Sequence, residues 1–311
     1  MVCPAPPGTL YGNRISAARW ARILRHLGHR VTIQTSYHGE PCDGLVALHA
    51  KRSGQAAIEF HRRYPDRPVI VALTGTDLYR DIHHSRTAQR ALEIATRLVA
   101  LQPLASGELE PSLRGKVRVI YQSVEKTTRR VIRPDREFRV CVVGHLRDVK
   151  DPFRAAMAVR GLPAESRIRV WHAGAAMSAG MERRATAEQQ RNPRYRWLGE
   201  IPRWKVRRLI ASSHLLVLSS RMEGGANVIS EAIVDGTPVL ASRIPGSIGL
   251  LGAGYPGFYP FGDTRALRSL LLRAETDSRF FTHLRSGCAK LSPLFRPARE
   301  RMAWRNLLGE V

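Results

Sequence analysis

Residues 215–241 have the sequence LLVLSSRMEGGANVISEAIVDGTPVLA. The apolar run Leu215–Leu218 predicts a buried parallel strand, and a second apolar run closes the stretch. A glycine-containing turn and a segment of helical periodicity lie between the two runs. Strand, turn, helix and strand make one βαβ unit, and ligands bind at the carboxyl ends of the strands in such sheets. The stretch therefore predicts an α/β fold with a ligand site at the turn.

Two carboxylates bracket this turn. Glu223 precedes the predicted helix, and Glu231 lies about two helical turns further on. A nucleotide sugar fits between them, with sugar hydroxyls at Glu223, the diphosphate on the amides of the first helical turn, and ribose hydroxyls at Glu231. The alternative is that both acids are solvated and bind nothing. If a nucleotide sugar binds, the donor-binding residues of the turn are Gly224, Gly225, Ala226, Asn227 and Val228.

The spacing of the two glutamates, with glycines after the first, resembles the GT-B glycosyltransferases that use sugar nucleotides. The resemblance implies two Rossmann-like, doubly wound α/β domains that face each other across a cleft. We place an acceptor-binding domain at residues 1–125, a nucleotide-sugar-binding domain at 135–295, and a terminal helix at 296–311 that packs back on the first domain; the linker lies within 122–134. The N-terminal half further resembles the selenosugar synthases of selenoneine biosynthesis, which join a UDP-sugar to selenophosphate.

Three loops of the predicted first domain carry polar residues. A glycine turn at Gly12 opens an amphipathic helix, and the predicted strands Leu45–Leu48 and Val69–Leu73 end at the other two loops. Because the carboxyl ends of parallel strands share one edge of a sheet, these loops are expected to face one ligand. Gly12 and Asn13 are assigned to the donor. The residues assigned to an anionic acceptor are Arg14, His49, Lys51, Arg52, Thr74, Thr76 and Asp77.

Each of these assignments has a structural alternative. Gly12 can belong to a plain tight turn, and His49 can be a buried structural histidine. Asp77 can neutralise the basic cluster, cap the next helix or bind a sugar hydroxyl. For a small oxyanion such as selenophosphate, arginine, lysine and threonine donors make chemical sense. A further strand is predicted at Val31–Ile33.

The loop at Gly144–Pro152 follows the first predicted strand of the second domain. In the family that the chain resembles, the matching loop has a basic residue after its glycine and a lysine further on, which hold the diphosphate. Lys150 matches the lysine, whereas His145 stands where arginine is usual and Arg147 follows two positions later. The resemblance thus assigns Gly144 to donor binding and Lys150 and Glu223 to catalysis. Arg147 is assigned to catalysis as well, although the departure at His145 leaves its role open. The alternative is that these cations form surface salt bridges with Asp148 and Asp151.

Two weaker signals concern the donor. In the same family the loop after a later strand holds the nucleotide base, largely through backbone groups, and Ile201 occupies that loop. The glycine-rich segment 242–254 predicts a loop near the sugar or a mobile lid.

Composition bears on the compartment and on the partners of the protein. The 311 residues include 50 Lys and Arg and only 26 Asp and Glu, which gives a net charge of +24. The excess is mainly arginine spread along the chain; a background bias, anionic substrates, nucleic acid or a membrane surface would each account for it. The sequence has no apolar run of membrane-spanning length, no signal-like start and only scattered cysteines. We expect a cytoplasmic protein without stable membrane insertion or a nucleic-acid partner.

The chemistry follows from these assignments. No Asp-x-Asp motif is present, so we expect no metal cofactor, and Arg147, Lys150 and helix amides would stabilise the departing UDP. The expected reaction transfers a hexose or N-acetylhexosamine from a UDP-sugar to selenophosphate, giving a 1-selenosugar. Functional coupling to a selenophosphate synthetase is then expected. The alternatives are a transferase acting on a lipid or polysaccharide hydroxyl at a membrane surface, and a nucleic-acid-binding protein without transfer activity.

Overall fold

The structure, a computed structural model, describes residues 1–127 and 131–311. The middle of the predicted linker, including the pair Arg129 and Arg130, lies outside the described residues. The chain forms two compact units. The first contains Met1–Ser123, Glu223–Gly225 and Arg296–Val311, and the second contains Val124–Met222 and Ala226–Phe295.

The first unit is built on a four-stranded parallel sheet in the order β1-β2-β3-β4. Its strands are β1 (Leu45–Leu48), β2 (Val69–Leu73), β3 (Arg97–Ala100) and β4 (Val117–Val119). Its helices in this part of the chain are α1 (Gly12–His26), α2 (Gly54–Arg63), α3 (Ile82–His84), α4 (Arg86–Ile94) and α5 (Pro111–Arg114). The strand predicted at Val31–Ile33 is not formed; Val2 instead makes single bridges to Gln34 and Ala47 beside the sheet.

The sheet of the first unit has an apolar layer on each face. All five residues of β2 are buried, and alternate residues point to opposite faces. Val71 packs on one face in a cluster with Phe60, and Ile70 packs on the other face with Trp20. A strand buried on both faces explains why β2 has a continuous apolar sequence.

The second unit contains a six-stranded parallel sheet in the order β10-β9-β8-β5-β6-β7. Its strands are β5 (Phe138–Val143), β6 (Ile168–Ala173), β7 (Tyr195–Trp197), β8 (Leu215–Leu218), β9 (Val239–Ser242) and β10 (Phe258–Tyr259). Its helices are α6 (Arg154–Val159), α7 (Ala179–Arg191), α8 (Arg203–Ser212), α9 (Asn227–Val234), α10 (Pro245–Leu251), α11 (Thr264–Thr276) and α12 (Ser278–Leu291). The strand order reverses between β5 and β8, as in a doubly wound sheet.

The last helix, α13 (Pro297–Leu308), packs within the first unit. Trp304 meets Trp20 of α1 edge to face, with ring centroids 5.1 Å apart. Glu300 is 1% exposed, and its carboxylate accepts hydrogen bonds from Arg19, from the indole N–H of Trp20 and from the backbone N–H of Ser123. Because a buried carboxylate is tolerated only when it is fully hydrogen-bonded, these contacts fix α13 on α1.

Candidate functional site

The second unit has a topological switch point between β5 and β8. From β5 the chain continues to β6 on one side, and from β8 it continues to β9 on the other side. Ligands of doubly wound sheets bind in the crevice outside the carboxyl ends of two such strands. The loops that leave this point are 144–153 after β5 and 219–226 after β8. Both loops contain residues that the sequence assigns to the donor.

The start of the first loop is fixed by two histidines. His172 is fully buried, and its Nε2 lies 3.1 Å from the carbonyl oxygen of Gly144. His145 Nδ1 accepts the backbone N–H of Ala175 at 3.2 Å, and burial lowers the pKa of this imidazole. His145 stands where the resembled family usually has arginine. Its neutral ring links the loop after β5 to the loop after β6 through this hydrogen bond. Gly174 is required here, because a Cβ would come within 2.0 Å of the Gly144 carbonyl oxygen.

The backbone around Lys150 is held from both sides. Residues Asp148–Lys150 form a short 3₁₀ turn, and Asp151 follows in the left-handed region with φ of 44°. Ser219, at the end of β8, places its hydroxyl 3.0 Å from the Lys150 carbonyl oxygen and 2.9 Å from that of Asp151. Arg154 Nε donates to the Asp151 carboxylate at 2.7 Å. The position of the lysine is thus set by buried contacts, whereas Arg147 is exposed.

Helix α9 presents the second predicted carboxylate. Its N-cap residue, Ala226, has an extended backbone. The Ala226 side chain has no oxygen that could accept the amide N–H groups of the first helical turn, which includes Asn227 and Val228. The Glu231 side chain is 7% exposed, and its Oε1 lies 3.1 Å from Nη2 of Arg203. Arg203 is the first residue of α8 and follows the loop that contains Ile201. Glu231 is therefore a nearly buried acid paired with an arginine.

The glycines after Glu223 are required by protein packing. Residues Glu223–Gly225 belong to the first unit. A Cβ on Gly224 would come within 2.6 Å of the carbonyl carbon of Thr74, and one on Gly225 within 2.5 Å of Leu101 Cβ. We expected these glycines to admit a ligand; the structure fills their side-chain space with protein. Direct contacts of Gly224 and Gly225 with the donor stay a prediction.

In the first unit, one aspartate organises the loops after β1 and β2. Asp77 is fully buried. Its carboxylate accepts the backbone N–H groups of Ala50 at 3.0 Å, Thr74 at 3.0 Å and Gly75 at 2.7 Å. These bonds make Asp77 a positioning residue for both loops, a role that the sequence did not indicate. A direct contact with an acceptor would require this carboxylate to become exposed.

His49 joins the same two loops from the other side. Its Nδ1 accepts the backbone N–H of Arg52 at 3.3 Å, so the neutral ring carries its proton on Nε2, which lies 3.1 Å from Thr76 Oγ1. Burial lowers the pKa of His49, which favours this neutral form. Its φ of 77° is unusual for a residue other than glycine. Nearby, Lys51 Nζ lies 3.8 Å from the Asp81 carboxylate.

Arg14 lies at the start of α1, where Gly12 and Asn13 form the first two helical residues. Nη1 of Arg14 is buried and has no hydrogen-bond partner among the described residues. A buried guanidinium N–H without a partner is costly, so this atom is a natural contact for an anionic ligand. A Cβ on Gly12 would meet no other atom within 4 Å.

Several site residues were not predicted from the sequence. Ser219 and His172 act on the loop at Lys150, and Arg203 acts on Glu231. Gln102 is fully buried; it donates to the phenol oxygen of Tyr79 and accepts from the backbone N–H of Leu104. A signal exists for Gln102, because it precedes Pro103 in the loop after a predicted strand, and for Arg203, because Arg203 and Arg207 share the four-residue spacing of Glu231 and Asp235.

Comparison with protein families identifies the class of this protein. The family described as "Glycosyl transferases group 1" matches residues 124–284, which is just over half of the chain. The chain belongs to this family and is a glycosyltransferase. The matched region contains the loop with Lys150, the loop after β8 and helix α9.

Solved structures of other glycosyltransferases have a similar fold. HepE from Anabaena, solved in complex with UDP-glucose, is 17% identical, with a TM-score of 0.78 over 99% of this chain and 98% of that one. Sucrose-phosphate synthase from Thermosynechococcus elongatus is 16% identical, with a TM-score of 0.73 over 99% of this chain and 82% of that one. WaaG, a glycosyltransferase involved in lipopolysaccharide biosynthesis, is 14% identical, with a TM-score of 0.69 over 94% and 96%. The predicted GT-B class of two Rossmann-like domains is confirmed.

Two further features of the described residues concern metals and membranes. Within residues 1–127 and 131–311, no cluster of three or more histidine, cysteine, aspartate or glutamate side chains is arranged to hold a metal ion. Across the same two ranges, no helix is long and apolar enough to cross a membrane.

Proposed function

We propose that this glycosyltransferase moves a hexose or N-acetylhexosamine from a UDP-sugar to selenophosphate, forming a 1-selenosugar as in selenoneine biosynthesis. One observation carries the proposal: the loop with Lys150 and the helix with Glu231 both start at the topological switch point of the second sheet. A cation and a carboxylate at such a point suit the diphosphate and the ribose of a nucleotide sugar. The neighbour HepE, which binds UDP-glucose, supports UDP as the nucleotide.

In this proposal residues of the second unit hold the diphosphate, the ribose and the base of the donor. Lys150 and Arg147 take the charge that develops on the departing diphosphate, and the amides at Asn227 and Val228 add their dipoles. Glu231 accepts the ribose hydroxyls, and the backbone near Ile201 lies at the base. Glu223 accepts hydroxyls of the sugar. Because Lys150 and Arg147 supply positive charge at the diphosphate, the transfer is proposed to need no divalent metal, and EDTA should leave the rate unchanged.

The first unit is proposed to hold the acceptor. Arg14 offers a buried N–H without a partner, and Thr76, Lys51 and Arg52 stand at the loops that Asp77 and His49 position. Such donors fit a small oxyanion. Selenium in selenophosphate attacks the anomeric carbon, a carbon–selenium bond forms, and UDP leaves with the electron pair of the broken carbon–oxygen bond. A selenium nucleophile that is already ionised needs no general base.

The product of this step carries selenium bonded to both carbon and phosphorus. Release of the selenosugar needs water as co-reactant: its oxygen joins phosphorus, the selenium–phosphorus bond breaks, and selenium retains the electron pair. An enzyme that makes selenophosphate, a selenophosphate synthetase, is the proposed supplier of the acceptor. The cytoplasm is the proposed compartment.

The test is a reaction with UDP-N-acetylglucosamine or UDP-glucose and selenophosphate, read by UDP release and by the mass of the product. The expected result is UDP release that depends on selenophosphate, with a selenosugar among the products. Phosphate and thiophosphate at equal concentration are the matched acceptors. UDP release that instead requires lipid vesicles or a polysaccharide would overturn the proposal and favour transfer to a hydroxyl at a membrane surface.

A further inference from the structure

Helices α8 and α9 are joined by two arginine–carboxylate pairs. Nη2 of Arg203 lies 3.1 Å from Glu231 Oε1, and Nη2 of Arg207 lies 2.7 Å from Asp235 Oδ2. The two arginines are four residues apart on α8, and the two acids are four residues apart along α9 and its C-cap. Residues with this spacing lie on one face of a helix, so the pairs form successive contacts along a single helix–helix interface.

The two pairs have different surroundings. The side chain of Asp235 is 1% exposed and that of Arg207 is 13% exposed; the carboxylate also accepts the backbone N–H and the hydroxyl of Thr127, each at 3.1 Å. This inner pair is enclosed and amply supplied with donors. The outer pair is more open, because the Arg203 side chain is 41% exposed while Glu231 is 7% exposed. The inner pair therefore has a structural role, and the outer pair is accessible from solvent.

The outer pair also lies on the ligand side of the sheet. In a parallel α/β sheet each helix begins at the edge where the preceding strand ends, and ligands bind at that edge. Arg203 is the first residue of α8, and Glu231 lies little more than one turn into α9. Asp235 lies at the opposite end of α9. Of the two arginines, Arg203 alone is placed beside the proposed nucleotide site.

We propose that Arg203 is a positioning residue for nucleotide recognition, which holds the Glu231 carboxylate in the orientation that accepts the 2′- and 3′-hydroxyls of the ribose. This inference rests on the proposed function, in which Glu231 binds the ribose. An ionised carboxylate has about four acceptor positions on its two oxygens, so a contact with one guanidinium N–H is compatible with two hydroxyl donors. A charge-assisted bond fixes the geometry of the acid more firmly than a neutral one. The arginine thereby favours a nucleotide with an intact ribose diol.

The experiment measures the affinities of UDP and 2′,3′-dideoxy-UDP by calorimetric titration. The wild-type chain is expected to bind UDP at least about tenfold more tightly, because the two analogues differ only in the hydroxyls given to Glu231. Arg203→Ala is expected to weaken UDP binding about tenfold and to leave dideoxy-UDP binding unchanged, so that the preference disappears. Arg203→Lys should restore part of the preference. Arg208→Ala, an exposed arginine on the same helix, is the matched control and should change neither affinity.

A second variant separates a direct effect from a change in folding. In a Glu231→Gln background, Arg203→Ala should produce no further change in the ratio of the two affinities, because the acid on which it acts is gone. Equal losses for UDP and dideoxy-UDP, or an unchanged preference in Arg203→Ala, would overturn the inference and leave the donor proposal standing. Failure of the wild-type chain to bind UDP would instead remove the proposed function and this inference together.

Discussion

The loop after β2 in the first unit and the loop after β5 in the second each follow a parallel strand. The buried side chains that hold the two loops differ in charge. Beneath the first loop lies a buried anion, because the Asp77 carboxylate accepts the backbone N–H groups of Thr74 and Gly75. Beneath the second loop lie neutral groups. The His172 ring contacts the carbonyl of Gly144, and the Ser219 hydroxyl contacts the carbonyl of Lys150.

This difference changes the local electrostatics. A buried carboxylate at the first loop offsets part of the positive charge that Lys51 and Arg52 bring to the same region, since charges interact strongly where water is excluded. The supports of the second loop, an imidazole and a hydroxyl, bring no negative charge to the region of Lys150. Asp151, which follows Lys150, is paired with Arg154. The second loop is therefore the better place for a diphosphate leaving group, and the first suits a smaller, less charged group.

The largest effect is expected from removing the anionic support. Asp77→Ala would leave the backbone N–H groups of Ala50, Thr74 and Gly75 without their acceptor, each at a cost of about 1–3 kcal/mol. We expect the free energy of unfolding to fall by about 3–5 kcal/mol, measured by urea denaturation. Asp66→Ala, which removes an exposed acid of the same unit, should change it by less than about 0.5 kcal/mol. Equal stability of the two variants would show that the loop does not depend on the anion.

The second prediction concerns the loop with neutral supports. Lys150→Ala should slow turnover by about 10²–10³-fold, the usual cost of losing one group that stabilises charge in a transition state. UDP affinity should fall much less, because the charge of the leaving group develops only as the bond breaks. The measurement is kcat and KM for UDP release. Lys290→Ala, an exposed lysine of the same unit, should have wild-type kinetics. If Lys150→Ala raised KM and left kcat intact, the lysine would serve binding alone.

The third prediction concerns His172, the buried histidine of β6 that contacts the start of this loop. Burial lowers the pKa of His172 to about 4, against about 6.5 when the chain is unfolded. The unfolded chain therefore takes up the proton first as the pH falls. The stability that comes from keeping this ring neutral is complete above about pH 6.5 and is lost as the pH falls towards 4.

Between pH 7 and pH 5 this loss is expected to amount to about 2 kcal/mol. Urea denaturation of the wild type and of His172→Gln at both pH values measures it. The variant should be less stable at pH 7, because its side chain fills the site poorly, yet its stability should change less between the two pH values. Parallel pH profiles would mean that His172 does not titrate differently in the folded chain.

Several of the strands that carry these loops could be predicted from the sequence. The apolar runs Leu45–Leu48, Val69–Leu73 and Leu215–Leu218 match β1, β2 and β8, because strands buried on both faces have a continuous apolar signal. The strand predicted at Val31–Ile33 is wrong. Its apolar and polar residues alternate as in a strand, but in the structure only the neighbouring Gln34 forms a bridge, to Val2. The glycine-rich segment 242–254 was predicted as a loop and contains α10, since tertiary packing stabilises short helices that sequence propensity does not favour.

The supports of the two loops could not be predicted in the same way. Asp77 is predicted as a site residue because it lies in the loop after a predicted strand, but the roles predicted for it are charge neutralisation, helix capping and sugar binding, and not the support of two loops. Ser219 and His172 lie far along the chain from Lys150 and Gly144, and nothing in their local sequence distinguishes them from ordinary strand residues. Contacts between residues distant in sequence depend on strand order, which periodicity does not specify. For the same reason the first-unit neighbours of Gly224 and Gly225 were missed.

The smallest effect is expected from the neutral support at Ser219. The hydroxyl is 4% exposed and lies within hydrogen-bonding distance of two carbonyl oxygens, so Ser219→Ala removes one shared donor without removing charge. We expect a loss of about 1 kcal/mol in unfolding free energy, the usual net worth of one neutral hydrogen bond. Turnover should nevertheless fall several-fold at unchanged UDP affinity, because the backbone that orients Lys150 gains freedom.

The split between stability and turnover is what makes this last variant informative. Ser286→Ala removes an exposed hydroxyl from α12 and should alter neither quantity. In a Lys150→Ala background, Ser219→Ala should still cost about 1 kcal/mol of stability but should no longer slow the reaction, because the side chain that it positions is gone. An additional rate loss in that double variant would mean that the hydroxyl acts on the substrate itself. The loop after β5 would then contain a second reactive group, and the contrast with the Asp77-supported loop would lie in the substrate contacts rather than in the supports.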